Sequence, residues 1–140
     1  MIARDIMKTD VITVSPSSSV TDASSMMREK NIGCLVVVDN ERRPIGIITD
    51  RDIVVTVVAE QLVPAEILVE DVMTKNLVTV KEDESVFEIL RVLARNSIRR
   101  VPVLRGVRLV GIVSVDDLIV LVVTELSNLA SALSSTSKVL

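Results

Sequence analysis

Short apolar runs alternate with polar segments along the chain, and the same order of segments occurs twice. Runs rich in Val, Ile and Thr predict strands, whereas apolar residues at i, i+3 and i+7 predict helices. Each half is predicted to form a helical turn, a strand, a helix, a two-stranded hairpin and a second helix. In the first half these elements are 3–7, 11–14, a helix after Ser19, the strands 34–39 and 44–49, and 50–62. In the second half they are 69–73, 77–80, a helix after Ser85, the strands 100–104 and 107–114, and 115–132.

The two halves align with one dominant register. At an offset of 66 residues Asp5-Ile6-Met7 falls on Asp71-Val72-Met73, and after one shorter hairpin turn Gly46-Ile47 falls on Gly111-Ile112 at an offset of 65. Matches that keep their order and change register once, in a loop, indicate an internal duplication. We predict one repeat at 1–62, a linker at 63–69, a second repeat at 70–132 and a flexible tail at 133–140.

The duplication also predicts how the halves associate. A repeat of about 60 residues buries too little surface to be stable alone. Its strands carry apolar residues at consecutive positions, for example Leu35 to Val38, so both faces of each sheet need to be covered. We therefore expect an α+β fold in which two β-α-β-β-α repeats pack sheet to sheet about a pseudo-twofold axis.

Composition excludes several classes of function. The net charge is −3, Phe87 is the only aromatic residue and histidine is absent. A nucleic-acid surface, base-stacking rings and the usual general base or zinc ligand are therefore missing, and we expect no metal site. Cys34 is the only cysteine and fits a small buried residue in a reducing compartment. No signal peptide or uncharged run of membrane-spanning length is evident, so we expect a cytoplasmic protein.

One turn recurs at the same place in both halves. A strand ends at a hydroxyl residue, and an aspartate follows three positions later at the start of a helix, first as Thr49 and Asp52 and then as Ser114 and Asp117. This spacing is typical of a capping box, in which the two side chains bond to the backbone of the turn. The same geometry suits a ligand, because free N–H groups at a helix start bind phosphate and a carboxylate accepts hydrogen bonds from ribose hydroxyls.

These motifs together resemble the cystathionine-β-synthase (CBS) domain family, and the chain from about Ala3 to Ala132 resembles one tandem CBS pair. The resemblance depends on Asp71-Val72-Met73-Thr74, on Ile98-Arg99-Arg100-Val101-Pro102-Val103, and on Gly-Ile-(Ile/Val)-(Thr/Ser)-x-x-Asp in both repeats. It implies a disc-like module with adenosyl-ligand clefts between the repeats. The first repeat departs from the central motif at Ile32-Gly33-Cys34, which has no arginine, so two unequal clefts are expected.

The resemblance assigns candidate site residues, each with a structural alternative. The residues expected to bind the ligand are Thr13, Gly33, Thr49, Arg51, Asp52, Thr79, Arg99, Arg100, Ser114 and Asp117. The structural alternative for each is a helix cap, a strand-forming residue or a solvated arginine. An apolar slot for a base, alternatively plain core, would be formed by Val11, Ile12, Ile47, Leu77, Val78 and Ile112. Adjacent strand residues point to opposite faces, so at most one of Arg99 and Arg100 faces a given cleft.

The expected function is regulatory. The module would bind AMP, ADP, ATP or S-adenosylmethionine as a ligand sensor without a resident cofactor and signal to a protein or enzyme partner. The main alternative is a ligand-free scaffolding dimer. An enzyme is disfavoured because the chain has no histidine and no P-loop, and a DNA-binding protein is disfavoured because the net charge is −3. We also expect a homodimer, because the second helices carry more apolar surface than one module hides; these residues are Ile53, Val54, Val57, Val58, Leu118, Ile119, Leu121 and Val122.

Overall fold

In the computed structural model the chain is described over residues 1–139, with side chains through residue 135. The first half contains α1, β1, α2, the hairpin β2–β3, and α3, which continues directly into a π-helical stretch. Their bounds are Ala3–Ile6, Thr13–Val14, Val20–Lys30, Cys34–Val38, Pro44–Thr49, Asp50–Ile53 and Val54–Val58. Two 3₁₀ turns, Pro64–Glu66 and Val69–Asp71, lead into the second half. There β4, α4, β5, β6 and α5 span Val80–Lys81, Val86–Asn96, Arg100–Arg105, Arg108–Ser114 and Val115–Val139.

The described strands form two three-stranded sheets, one for each repeat, ordered β1-β2-β3 and β4-β5-β6. In each sheet the first strand runs parallel to the second, and the second and third form an antiparallel hairpin. Thr13 lies opposite Val36, and Val80 lies opposite Val103. The predicted α+β duplication is therefore confirmed.

Local signals fix the ends of α2 and α4. The hydroxyls of Ser19 and Ser85 accept the backbone N–H groups of Asp22 and Glu88, at 3.0 and 3.1 Å, so both serines are N-caps. The side chain of Glu88 does not complete a capping box; it bonds instead to Arg91 and Arg95 farther along the helix.

The opening segment of each repeat packs into the core of the other repeat. Ala3 is fully buried in the core of the second repeat, and Val69 is fully buried in the core of the first. Their backbone N–H groups donate to Glu84 O and Ser18 O, both at 2.8 Å. The predicted linker therefore contains a core residue, and each core is completed by residues from the other repeat.

These exchanged segments reveal the pseudo-twofold axis. Lys8 pairs with Ile112 through two backbone hydrogen bonds of 3.0 and 2.9 Å, and Thr74 pairs with Ile47 through bonds of 2.8 and 3.1 Å. The offsets of 66 and 65 residues convert one pair into the other. The symmetry predicted from the duplication is thus present in the contacts that join the repeats.

The glycine that opens each Gly-Ile motif leaves space for a methionine from the exchanged segment. A Cβ added at Gly111 would lie 2.5 Å from Met7 Sδ, and one added at Gly46 would lie 2.6 Å from Met73 Sδ. A larger residue at either glycine would therefore collide with the segment that joins the two repeats.

The carboxyl-terminal helix differs from its predicted bounds. The flexible tail predicted at 133–140 is not what the structure describes, because α5 continues to Val139; the serines there interrupt the hydrophobic pattern, but neither Gly nor Pro ends the helix. Leu140 lies outside the described residues. By length and composition alone, Val115–Ser135 could also cross a membrane, with a mean hydropathy of 1.6 and 6% of it buried. Counting uncharged runs missed this helix because Glu125 divides it.

The predicted dimer surface is only partly available. Ile53, Val57 and Leu118 are buried in the cores of their own repeats, because those faces of the helices cover the sheets. The opposite faces are exposed and include Val54, Val58, Ile119 and Val122.

Candidate functional site

A cavity of about 560 Å³ lies between the repeats. The first repeat contributes the segment that precedes β1 and the loop from α2 to β2, and the second contributes the starts of β5 and α5. The lining residues are Lys8, Asp10, Val11, Ile12, Lys30, Asn31, Ile32, Gly33, Cys34, Val36, Arg100, Ile112, Ser114, Asp116 and Asp117. The cavity thus joins groups that are far apart in the chain.

One wall of the cavity is apolar. Val11, Ile12 and Ile32 from the first repeat and Ile112 from the second are partly buried, and Val36 is 1% exposed. Aliphatic side chains of this kind form a slot into which a flat ring can insert without aromatic stacking, while polar groups at the rim fix its orientation.

The rim carries several charges. Lys8, Lys30 and Arg100 contribute three cations, and Asp10, Asp116 and Asp117 contribute three carboxylates. Lys8 Nζ lies 3.5 Å from Asp117 Oδ1. Arg100 is exposed and has no hydrogen-bond or ion-pair partner within the described part of the chain. Its neighbour Arg99 is outside the lining, and its side chain bonds at 3.1 Å to Oδ1 of Asp116, which does line the cavity. Strand alternation therefore gives the cavity one unpaired guanidinium group.

The two Thr/Ser-x-x-Asp turns differ in their hydrogen bonds. At the first turn Thr49 and Asp52 form a complete capping box, because Asp52 Oδ2 accepts the N–H of Thr49 at 3.0 Å and Thr49 Oγ1 accepts the N–H of Asp52 at 3.1 Å. At the second turn Ser114 Oγ accepts the N–H of Asp117 at 3.2 Å, and the Asp117 carboxylate contacts Lys8. The carboxylate of Asp117 therefore faces the cavity and remains able to accept a ligand hydroxyl.

Cys34 also lines the cavity. Burial raises the pKa of its thiol above the ordinary value of 9.0, and the positive charge of Arg100 partly opposes this shift. The thiol is consequently protonated at neutral pH and is a weak nucleophile there.

The structure brings together only some of the residues predicted for the site. Those that line the cavity are Val11, Ile12, Gly33, Arg100, Ile112, Ser114 and Asp117. Those outside its lining are Thr13, Ile47, Thr49, Arg51, Asp52, Leu77, Val78, Thr79 and Arg99. Several of the latter have structural partners: Thr13 pairs with Val36 in the sheet, Ile47 pairs with Thr74, and Val78 packs on the second core.

Sequence reasoning missed the two lysines of the rim. Lys8 reaches the cavity because the exchanged opening segment lies beside β6, and Lys30 arrives at the end of α2. Nothing in the residues around Lys8 or around Lys30 indicates that its side chain lines a cavity. Only the pairing of segments more than 100 residues apart places Lys8 beside Asp117.

A second cavity, of about 280 Å³, lies where the two hairpins meet and is lined by Arg42, Arg105, Arg108, Leu109 and Val110. Arg42 Nε donates to Leu109 O at 3.2 Å, and Leu109 N–H donates to Arg42 O at 3.0 Å. Arg105 is held by two 3.0 Å hydrogen bonds to Glu82, which hold the pKa of that carboxyl below its usual value. Arg42 therefore joins the two hairpins, whereas Arg105 ties the second hairpin to the segment that follows β4.

The family model for the CBS domain matches the chain twice, at residues 3–59 and 69–124. The chain belongs to the CBS-domain family. Uncharacterized protein MK0525 of Methanopyrus kandleri is 37% identical over 116 residues, which cover 82% of this chain and 59% of that protein. This CBS chain therefore spans less than two thirds of that relative's length.

Two crystal structures of similar CBS proteins are relevant to ligands and assembly. The CBS domain pair of protein MJ0100, solved with 5′-methylthioadenosine and S-adenosyl-L-methionine, is 30% identical with a TM-score of 0.79, over 89% of this chain and 98% of that one. A hexameric CBS-CP12 protein from bloom-forming cyanobacteria is 38% identical with a TM-score of 0.74, over 85% and 69% of the two chains.

Proposed function

We propose that this CBS pair is a regulatory module that binds a phosphorylated adenosine, such as AMP, ADP or ATP, in the cavity between its repeats. The observation that carries the proposal is the Asp117 carboxylate at the start of α5, which faces a cavity with an apolar wall and with the unpaired guanidinium group of Arg100 at its rim. The proposed role is regulatory and not catalytic. The adenosyl ligands of the MJ0100 pair support the ligand class.

The geometry assigns a role to each part of the ligand. The adenine ring would occupy the slot formed by Val11, Ile12 and Ile112, and the ribose hydroxyls would donate to Asp117. The phosphate groups would lie toward Lys30 and Arg100, because an anion next to the Asp117 carboxylate, where Lys8 is held, would be repelled. The guanidinium group of Arg100, which has no carboxylate partner among the described residues, favours a phosphorylated ligand over S-adenosylmethionine, which carries a positive sulfonium charge.

Binding would be transmitted because the cavity is shared by both repeats. A ligand that contacts the first repeat through Val11 and the second through Asp117 stabilises one relation between them, and this shifts the population that a partner recognises. We further expect copies of the module to associate through the exposed faces of α3 and α5, as a homodimer.

The proposal is tested by titrating AMP, ADP, ATP, S-adenosylmethionine and 5′-methylthioadenosine while the melting temperature is followed. A ligand that binds only the folded state raises the melting temperature. We expect a rise with the phosphorylated ligands, and Arg100→Ala should reduce it while leaving the response to 5′-methylthioadenosine unchanged. Arg108→Ala, at an exposed arginine outside this cavity, is the matched control.

The same titration distinguishes a nucleotide-binding module from a ligand-free scaffolding module. If no adenosyl ligand shifts the melting temperature, the cavity is not a nucleotide site and the scaffolding module becomes the better interpretation. If Arg108→Ala reduces binding as much as Arg100→Ala does, the assignment of the phosphate groups to this rim is wrong.

A further inference from the structure

Most of α5 extends beyond the core of the protein. Leu118 is 2% exposed and Leu121 is partly buried, but every residue from 122 to 135 is exposed. An unsupported helix of this length is marginally stable in water, because most helical stability in proteins comes from packing of an apolar face. The exposed part of α5 therefore requires a surface to pack against.

The exposed apolar residues of α5 follow a heptad repeat. They are separated alternately by three and four residues: Ile119, Val122, Leu126, Leu129 and Leu133. In heptad notation Ile119, Leu126 and Leu133 occupy a positions, and Val122 and Leu129 occupy d positions. This is the spacing of a coiled-coil seam. The family match ends at residue 124, so three of the five seam residues lie beyond it.

From residue 124 onward, the helical positions outside the seam are polar or small. Residues on the outer face (b, c and f positions) from 124 onward include Thr124, Ser127, Asn128, Ser131 and Ser135. A narrow apolar stripe with a polar opposite face is typical of a coiled coil, whereas a helix in lipid is apolar on all sides. Glu125, within the stretch, would also cost several kcal/mol at the centre of a bilayer.

The exposed area approaches that of a dimer interface. The five seam residues and Val123, at the flanking e position, are between 46% and 65% exposed. At on the order of 100 Å² each they present roughly 600 Å² per copy, compared with the about 800 Å² per partner of a standard protein interface. A seam on one helix is complementary to the same seam on a second copy, which permits a closed twofold dimer.

We propose that residues 119–133 of α5 form a two-stranded coiled coil with the same residues of a second copy of this chain. This interface extends beyond the association through the second helices expected above. It does not depend on whether the cavity binds a nucleotide.

The experiment compares two double variants with equal added charge. Leu126→Glu with Leu129→Glu places carboxylates in the seam, and Ser127→Glu with Ser131→Glu places them on the outer face. Sedimentation equilibrium of the wild type and the outer-face variant should give twice the chain mass of 15.3 kDa. The seam variant should dissociate with a dimer Kd raised at least about 100-fold.

A chain truncated after Thr124 provides a second test in case the seam variant does not fold. The truncation removes three of the five seam residues and should weaken association to a similar extent. Far-ultraviolet circular dichroism and the melting temperature verify that each variant is folded. The proposal is overturned if the seam variant or the truncated chain associates as tightly as the wild type. It is also overturned if the wild type is monomeric, or if it binds vesicles of phosphatidylcholine and phosphatidylglycerol as a monomer through α5.

Discussion

Asp52 and Asp117 occupy equivalent turns but have different partners, so replacing each by alanine separates helix capping from ligand binding. The carboxylate of Asp52 is engaged by the backbone of its own turn, through the 3.0 Å bond from Thr49 N–H. The carboxylate of Asp117 contacts only Lys8 among the described side chains and faces the cavity. The prediction is that Asp52→Ala mainly lowers stability and Asp117→Ala mainly abolishes binding.

The magnitudes follow from these contacts. Asp52→Ala removes a capping acceptor from a partly buried turn and should lower the free energy of unfolding by about 1 kcal/mol. Asp117→Ala removes an ion pair whose lysine side chain is 65% exposed, so solvent screening limits the loss to less than about 1 kcal/mol. For binding, loss of two hydrogen bonds from ribose to a charged acceptor should raise the nucleotide Kd at least about 100-fold.

Calorimetric titration with AMP and ATP measures the affinity, and urea unfolding followed by circular dichroism measures stability, since the chain has no Trp or Tyr for fluorescence. Asp83→Ala, at an exposed aspartate outside the cavity, is the control. The reasoning is refuted if Asp117→Ala binds nucleotide as the wild type does while Asp52→Ala does not bind.

Three further predictions test the fold and the electrostatics. Gly111→Ala should lower the free energy of unfolding by about 1–3 kcal/mol, and adding Met7→Ala should recover part of that loss; urea unfolding that shows no recovery would contradict the proposed collision. Hydrogen bonds from Arg105 lower the pKa of Glu82 below 4.5, so this pair stabilises the fold above that pH and the contribution disappears as the pH falls through the lowered pKa. Between pH 7 and pH 3 the free energy of unfolding of Arg105→Gln should therefore fall by less than that of the wild type, measured by the same urea unfolding. Cys34 should react with iodoacetamide at pH 8 more slowly than free cysteine and more slowly still with saturating ADP; equal rates in mass spectrometry would argue against its place in the cavity.

The features that sequence predicts well are those decided within one turn of chain. Ser19 and Ser85 begin helices because a hydroxyl there satisfies a free N–H group, whatever the remainder of the protein does. The duplication is also visible in sequence, since it is a comparison of the chain with itself. From these two signals the repeats and their sheets could be predicted, while the CBS family could be recognised from the motifs that the repeats carry.

The exchange of opening segments could not be predicted in this way. Ala3 to Ile6 show a short helical pattern that would suit either core, and nothing local tells that Ala3 is buried in the second repeat. The choice is made by the space above Gly111, which admits Met7. Because that fit involves two residues more than 100 positions apart, it appears only in the folded chain.

The site was predicted in part for the same reason. Asp117 and Ser114 could be identified because their turn is a local motif. Strand alternation limits the cavity to one of Arg99 and Arg100 but does not tell which. The same motif at Asp52 forms a complete capping box, so an identical pattern has a structural explanation in one repeat and an open carboxylate in the other.

The exchanged segment gives the cavity a direct connection to the association of the repeats. The backbone of Lys8 pairs with Ile112 through two hydrogen bonds, and its side chain contacts Asp117. The preceding residue, Met7, packs against Gly111. A phosphorylated ligand that bonds to Asp117, the partner of Lys8, would thus act on the residues that hold the first repeat to the second. Ligand binding would therefore change the stability of the contact between the repeats directly. This arrangement provides a physical route from ligand occupancy to a change in the relation of the two halves, which is what a regulatory partner would detect.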